Sequence, residues 1–294
     1  MVFVDSSVKT FVLRDYDLGA TLASGQAFRW RRQDECWVGI IRDRWVRLRS
    51  TDSALIAETA GSLDDWSWLT HYLQLDLDLN TVLKTFPTDP PMQAAVAACR
   101  GLRLLRQDPW ECLASFILSS TKQILQIQQI ISMLCHKYGA AAWVPPGHPP
   151  AHAFPTAERL AQLSEAELRA CKMGFRAPFL LAASRSIVHG KLDLRALQQL
   201  PLDAARAELL KLHGVGRKIA DCVLLFAFGH QSAFPVDVWI MKVLRHFYFP
   251  RRKVNLRKLQ EFAGSHFGTH AGYAQQYLFH YARSQMKRGE LPTL

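Results

Sequence analysis

The chain has 294 residues, 49% hydrophobic and 21% charged, with a formal net charge of +11. That balance supports one large packed domain or two ordinary ones and excludes a chain disordered throughout. No uninterrupted apolar run reaches the roughly 18 residues of a membrane span, so no membrane association is expected, while the basic surplus suits a polyanion, of which nucleic acid is the commonest.

The opening stretch MVFVDSSVKTFVLRDYD lacks the basic-then-apolar order of a secretory signal. An intracellular protein is expected: in the nucleoid or cytoplasm of a prokaryote, or in the nucleus of a eukaryote. The first fifty residues read as strands. In CWVGIIRDRWVRLRS, Trp45, Arg47 and Arg49 alternate with Val46 and Leu48, the period of a half-buried strand. Arg42-Asp43 suits a turn between two such strands. From Ser62 to about Leu79 the alternation is lost. After Phe86–Pro91 (FPTDPP) helical periodicity takes over, which sets a domain boundary between residues 88 and 89. Asp108 as N-cap, Pro109 as first helical residue and Glu111 three after the cap open a helix. Ser119-Ser120-Thr121 breaks it, and an amphipathic helix then runs to about Gly139. The Pro- and His-rich segment Val144–Pro155 reads as an exposed connection. Short helices follow in TAERLAQLSEAELRAC, then one ending at Gly190. Further helices are expected around 203–211, 217–228, 237–247 and 271–287.

The six cysteines, Cys36, Cys99, Cys112, Cys135, Cys171 and Cys222, form no C-x-x-C pair, so neither a zinc ribbon nor a redox motif is visible. Buried free thiols are expected. In HFGTH, His266 and His270 lack the glutamate of H-E-x-x-H and flank a glycine, so no metal site is expected there.

The stretch LHGVGRKIADCVLLFAF carries the chemistry. Gly214 and Gly216 permit positive φ and close approach of another backbone, and the amides opening the next helix can bind an anion such as a DNA phosphate. A plain glycine-capped helix turn would look the same. Lys218 then enters a helix apolar nearly all round. An amine at that edge is partly desolvated, which disfavours the ammonium and favours a nucleophile able to form a Schiff base. A lysine that merely snorkels to solvent is the alternative. Nineteen residues on, Asp237 follows Pro235 as a natural N-cap. The same carboxylate can stabilise a developing cation.

Gly-Val-Gly-Arg-Lys followed at this distance by Pro-Val-Asp resembles the helix-hairpin-helix DNA glycosylase superfamily. The resemblance implies Lys218 as nucleophile, Asp237 as assisting carboxylate, and DNA contacts from His213, Gly214, Val215, Gly216 and Arg217. Endonuclease III-like members hold an iron–sulfur cluster on four cysteines after the hairpin; here Cys222 is the last cysteine, which excludes that cluster. Ser24–Trp30 (SGQAFRW) and GYAQQYLFHYAR near the C-terminus resemble the 8-oxoguanine DNA glycosylases within the superfamily. That resemblance spans about Val12 to Arg283. It implies that Gly25 offers its carbonyl to the N7 hydrogen of 8-oxoguanine, that Cys222 and Phe279 stack on the flipped base, and that Gln275 reads its Watson–Crick edge. Independently, Lys218 and Cys222, like Gln275 and Phe279, stand four residues apart and share a helix face.

The chain departs from that family's pattern at the helix break. Thr121, Lys122 and Gln123 stand where an asparagine would fill the vacated space and meet the orphaned cytosine, and Gln126 replaces an arginine. Phe175 replaces a wedge tyrosine beside a retained Arg176, and Trp239 replaces a histidine. The implied fold is α+β: an N-terminal antiparallel sheet domain of the TBP-like type, residues 1–88, then an all-helical hairpin domain, residues 89–294. The implied activity is excision of 8-oxoguanine by base flipping, a lysine Schiff base and β-elimination, without a cofactor, by a monomer acting on damaged double-stranded DNA. Seven Lys or Arg and no acid between Lys242 and Gln260 suggest further phosphate contacts. Two rivals stay open: a glycosylase for alkylated or other damaged purines, whose relatives lack the lysine, and a non-catalytic module that only grips DNA. Both make Lys218 dispensable.

Overall fold

The computed structural model of the chain describes residues 6–285. The start of the opening stretch, residues 1–5, and the last two residues of the helix expected over 271–287 lie outside them. Five antiparallel strands, β1 (Ser6–Val12), β2 (Arg31–Gln33), β3 (Cys36–Ile41), β4 (Arg44–Ser50) and β5 (Ala54–Ala60), form one sheet in the order β1-β5-β4-β3-β2. The β3–β4 hairpin turns at Arg42-Asp43, with Ile41 paired to Arg44 and Arg42 at φ 57°. Val46 and Leu48 are fully buried on the inner face, where they meet Leu18 and Leu22 of α1 (Leu18–Ala23) and Leu69 and Leu73 of α2 (Ser67–Leu73).

Trp45 departs from the simple alternation. It points away from that core yet is only 2% exposed, because the Val144–Pro155 segment folds back over it. The His148 ring lies 4.5 Å from the Trp45 ring. Two short strands, β6 (Ala141–Ala142) and β7 (Ala151–His152), close the segment on itself, the Arg29 guanidinium donates to the His152 carbonyl, and Trp110 Nε1 donates to Pro155 O at 2.9 Å. The segment expected to be an exposed connection is therefore docked onto the sheet.

Helices follow: α3 (Leu79–Leu83), α4 (Pro90–Cys99), α5 (Pro109–Leu118), α6 (Ile124–Tyr138), α7 (Ala157–Ala161), α8 (Glu165–Arg169) and α9 (Ala177–Val188), with a 3₁₀ turn at Gly174–Arg176 before α9. Asp108 caps α5 by accepting from the amides of Trp110 and Glu111, both at 3.0 Å. Glu111 instead faces Arg29 across the boundary between sheet and helices, at 3.6 Å. After α10 (Leu194–Leu197) come α11 (Leu202–Leu210), α12 (Arg217–Phe226), α13 (Val238–Tyr248), α14 (Leu256–His266) and α15 (Ala271–Gln285).

Every residue of α12 from Ile219 to Phe226 is buried, and α12 packs on α5 and α11 while α15 packs on α4 and α13. Gly272 permits the approach of α15 to α12: a Cβ there would lie 2.2 Å from Leu225 Cδ1 and 2.7 Å from Ala233 O. Helix α14 begins in the basic stretch expected to contact phosphate. Asn255 caps it by accepting from Lys258 N at 2.9 Å. Two of the seven cations there serve the fold: Arg245 donates to Val254 O at 2.8 and 3.2 Å, and Arg257 pairs with Glu261 at 2.9 Å. All six cysteines are buried and unpaired. Among the described residues no helix is long and apolar enough to cross a membrane.

Candidate active site

The turn between α11 and α12 presents Lys218. Gly214, at φ 84°, sits over the Phe179 ring so closely that a Cβ would fall 2.3 Å from Phe179 Cγ. Val215 is 6% exposed, so only its main chain is offered outward, whereas Gly216 has open space around it and caps α12 with no side chain. The first amides of α12 therefore face outward unoccupied by any capping group. Below them Asp221, 2% exposed, takes Arg206 Nε at 2.6 Å and faces Arg217 at 3.6 Å. Burial raises the Asp221 carboxyl pKa above its ordinary value despite both arginines. That buried pair pins the start of α12 to α11.

Lys218 is half-buried. Its Nζ donates to Ser119 Oγ at 3.2 Å and lies 5.1 Å from the centre of the Phe116 ring. The Ser119 hydroxyl already gives its proton to Phe116 O at 2.7 Å, so it can only accept from the amine. One turn along α12, Cys222 is 4% exposed. Burial pushes its thiol up to about 12, with Asp237 adding and Lys218 opposing, so it is a neutral, polarizable surface rather than a thiolate. Asp237 caps α13, accepting from Ile240 N at 2.7 Å.

The opposite wall comes from α15 and from the loop after α1. Gln275 is 4% exposed, and its Oε1 is buried with no hydrogen-bond partner among the described residues, an acceptor left for something that enters the pocket. Gly25 reaches in from the sheet domain at φ 79°. Its loop is fixed on both sides: Gln276 Nε2 donates to Ser24 O at 2.9 Å and Gln107 Nε2 to Gln26 O at 2.6 Å. Inside it, Gln26 donates to Arg103 O and accepts from Leu105 N, each at 2.8 Å. Gly25, Lys218, Cys222, Asp237, Gln275 and Phe279 thus line one pocket. It encloses about 50 Å³, well short of the roughly 300–1,000 Å³ of an occupied ligand site. Phe279 is its one half-exposed aromatic wall. Roomier cavities, of about 290 Å³ beside Trp45 and about 800 Å³ beside Arg106, hold neither lysine nor a comparable set.

The remaining sequence-derived residues form a second group beside the pocket mouth. His213 packs edge-on to Phe179 at 4.7 Å, and Phe179 to Phe175 at 6.1 Å. Thr121 breaks the chain between α5 and α6 at φ 55°, with Lys122 and Gln123 following. Arg176 is 2% exposed. His266 and His270 are held apart by different partners, Asp89 and Thr85, and among the described residues no group of three or more His, Cys, Asp or Glu could hold a metal ion.

Two family models cover most of the chain. Residues 10–113 match the 8-oxoguanine DNA glycosylase N-terminal domain, and residues 114–264 match the HhH-GPD superfamily of base excision DNA repair proteins. The chain belongs to the 8-oxoguanine DNA glycosylase family of that superfamily. A probable N-glycosylase/DNA lyase of Methanothermobacter thermautotrophicus is 35% identical over 219 residues, covering 68% of this chain and 69% of the relative. An N-glycosylase/DNA lyase of Arabidopsis thaliana is 30% identical over 280 residues, covering 89% and 76%. The solved 8-oxoguanine glycosylase/lyase of Clostridium acetobutylicum, in complex with double-stranded DNA containing cytosine opposite 8-oxoguanine, aligns at 31% identity. Its TM-score is 0.86, over 96% of this chain and 99% of that one. A 3-methyladenine DNA glycosylase from Archaeoglobus fulgidus shares the fold at 18% identity and a TM-score of 0.77.

The chain is therefore an enzyme of the N-glycosylase/DNA lyase class, with the sheet-then-hairpin layout of the 8-oxoguanine glycosylases. Phe116, which lines the pocket, and Ser119 and Arg283, which contact its lining residues, were not among the residues that the motifs pointed to. Ser119 was legible only as a helix break, and its contact with Lys218 spans 99 residues. Phe116 looked like core. Arg283 lies 5.3 Å over the Phe279 ring and 3.4 Å from where a Gly25 Cβ would stand; only its place one turn beyond Phe279 could have signalled it.

Proposed function

We propose that the chain excises 8-oxoguanine from duplex DNA and then nicks the strand, with Lys218 as nucleophile and Asp237 as the carboxylate that stabilises the sugar cation. The observation that carries this is the meeting in one pocket of a half-buried amine, a carboxylate, a main-chain carbonyl at Gly25 and the unpaired acceptor of Gln275. A purine whose N7 carries hydrogen matches that set. Its N7 hydrogen suits the Gly25 carbonyl, and the donors of its Watson–Crick edge suit Gln275 Oε1.

The hairpin from His213 to Arg217 grips the backbone through uncapped amides at the start of α12, a contact blind to sequence and weakened by salt. The target nucleotide rotates out of the stack because its C1′ is out of reach inside a duplex, at a cost of a few kcal/mol. The base then lies between the Cys222 thiol and the Phe279 ring. The neutral Lys218 amine attacks C1′ and the glycosidic bond breaks. Its electron pair leaves with the base, which takes up a proton. Asp237 faces the positive charge that develops on the sugar. The aminated sugar opens to an imine. Loss of a C2′ proton then expels the 3′ phosphate, and the strand is cut. Every group in this sequence belongs to the chain or to DNA.

The test is reductive trapping with duplexes carrying 8-oxoguanine, a methylated purine or no lesion. Borohydride is expected to fix a covalent complex on the 8-oxoguanine duplex alone. Trapping on the methylated duplex, with none on 8-oxoguanine, would overturn the substrate assignment.

A further inference from the structure

A nucleotide that turns into the pocket brings its two flanking phosphates to the pocket mouth, and one face of α15 runs outward toward them. Gln275, Phe279 and Arg283 stand four residues apart on that face. Burial falls along it: Gln275 is 4% exposed, Phe279 is half-exposed and Arg283 is exposed. Arg283 therefore belongs to the mouth of the pocket and Gln275 to its floor. The Arg283 guanidinium lies 5.3 Å from the centre of the Phe279 ring. One of its terminal nitrogens lies 3.4 Å from where a Cβ on Gly25 would stand, so the side chain joins α15 to the loop after α1.

Lys218, in the same pocket, already donates to Ser119 Oγ, and Arg217 beside it faces Asp221 at 3.6 Å. Arg283 makes no hydrogen bond and no ion pair among the described residues, so its donors are uncommitted. Partial burial lowers its pKa below the ordinary arginine value, and the Asp237 carboxylate opposes that shift; an arginine stays charged all the same. The two groups therefore feel each other, and this sets the ligand. Asp237 faces the cation that develops on the sugar, and a bare guanidinium in the same field would subtract from its effect. A guanidinium that holds a phosphate adds no net charge, and its planar fork matches two phosphate oxygens. The edges of the base are met by Gly25 and Gln275, which leaves the phosphate as the oxygen ligand at the mouth. We propose, resting on the reaction given above, that Arg283 takes a phosphate flanking the flipped nucleotide and holds that nucleotide in its extruded position. The same guanidinium lies over the Phe279 ring, so one residue ties the grip on the backbone to the wall on which the base stacks.

The experiment is a chemical double-mutant cycle. Single-turnover base release from 8-oxoguanine duplexes and strand cleavage at abasic sites are measured for the full chain, for Arg283→Met and for Arg283→Lys. Each is run on ordinary DNA and on DNA in which one or the other phosphate flanking the target nucleotide is a neutral methylphosphonate. Methionine keeps an apolar stem beside Phe279 and removes the charge. Arg283→Met is expected to slow both reactions on ordinary DNA by about 10- to 100-fold, the effect of one charged hydrogen bond, and Arg283→Lys to restore them to within about fivefold of the unaltered chain. At one of the two phosphates the losses should not add: the methylphosphonate should slow Arg283→Met by at least about fivefold less than it slows the unaltered chain. Additive losses at both phosphates overturn the assignment. Abasic DNA keeps its phosphates and lacks the base, so a loss confined to base release would make Arg283 a contact to the base or a prop for Phe279 alone, and overturns it as well. If the unaltered chain cleaves abasic sites but releases no 8-oxoguanine, the lesion assignment falls and the cycle on abasic DNA decides Arg283; no reaction on either DNA overturns both.

Discussion

Gly25→Ala is expected to separate the proposed lesion reading from the chemistry. At φ 79° an alanine costs about 1–2 kcal/mol of folding free energy. The new methyl would stand 2.9 Å from Ile124 Cδ1, 3.4 Å from an Arg283 nitrogen and 3.6 Å from Phe279 Cε1. Ile124 can turn its chain end away, so the melting temperature is expected to fall by only about 2–6 °C. The pocket has no such slack. The methyl sits against the Phe279 ring, which adds about 1–3 kcal/mol of overpacking to a bound base, and displacement of the Gly25 carbonyl would remove the proposed hydrogen bond to the lesion, worth about 1 kcal/mol. Together these predict a loss of about 2–4 kcal/mol in transition-state binding, or about 30- to 1,000-fold in kcat/KM for 8-oxoguanine release. An abasic site carries no base, so strand cleavage there should stay within about threefold of the unaltered chain. The assay measures base release and abasic-site cleavage side by side. Equal losses on both substrates, or none on 8-oxoguanine, would refute the reasoning.

Three further perturbations test other parts of the molecule. Gly214→Ala drives a Cβ to within 2.8 Å of three Phe179 atoms at φ 84°; about 2–5 kcal/mol of stability and most DNA affinity should go, and thermal unfolding with fluorescence anisotropy would show it. Ser119→Ala leaves the Lys218 amine without its acceptor, and imine formation should slow by about five- to tenfold with abasic DNA as with 8-oxoguanine; an unchanged trapping rate would show that the contact does not matter. Burial pushes the Glu111 carboxyl up to about 7, against Arg29. Its folded pKa exceeds the ordinary 4.5, so folding favours the protonated form and stability should fall as pH rises from about 4.5 to 7, by about 1–3 kcal/mol. Glu111→Gln should flatten that slope in melting curves at pH 5 and pH 8, and an unaltered slope would assign it to other groups.

Local chemistry in the sequence located most of the elements. The Asp108-Pro109 start, the Gly214–Gly216 turn and the apolar run after Lys218 each encode their structure within a few residues, and each forms as expected. Spacing of four along α12 and along α15 brought Lys218 with Cys222, and Gln275 with Phe279, to one pocket. Contacts between distant segments were illegible. Trp45 reads as outward-facing because nothing local reveals that His148 covers it. Helix α14 was hidden by its charges, although Asn255 ahead of it is a residue type favoured as an N-cap. The engagement of Arg176 with Ser120 and Thr121 joins segments 55 and 56 residues apart, which no local pattern encodes.

The central claim is that one amine, that of Lys218, forms the bond to DNA. The most direct test is to trap the complex on an 8-oxoguanine duplex with borohydride, digest it, and locate the modified residue by mass spectrometry. The account predicts a single modified peptide, carrying the sugar on Lys218, and no trapped complex from Lys218→Gln. Attachment at another amine, such as that of Lys122, or full trapping by Lys218→Gln, would contradict it.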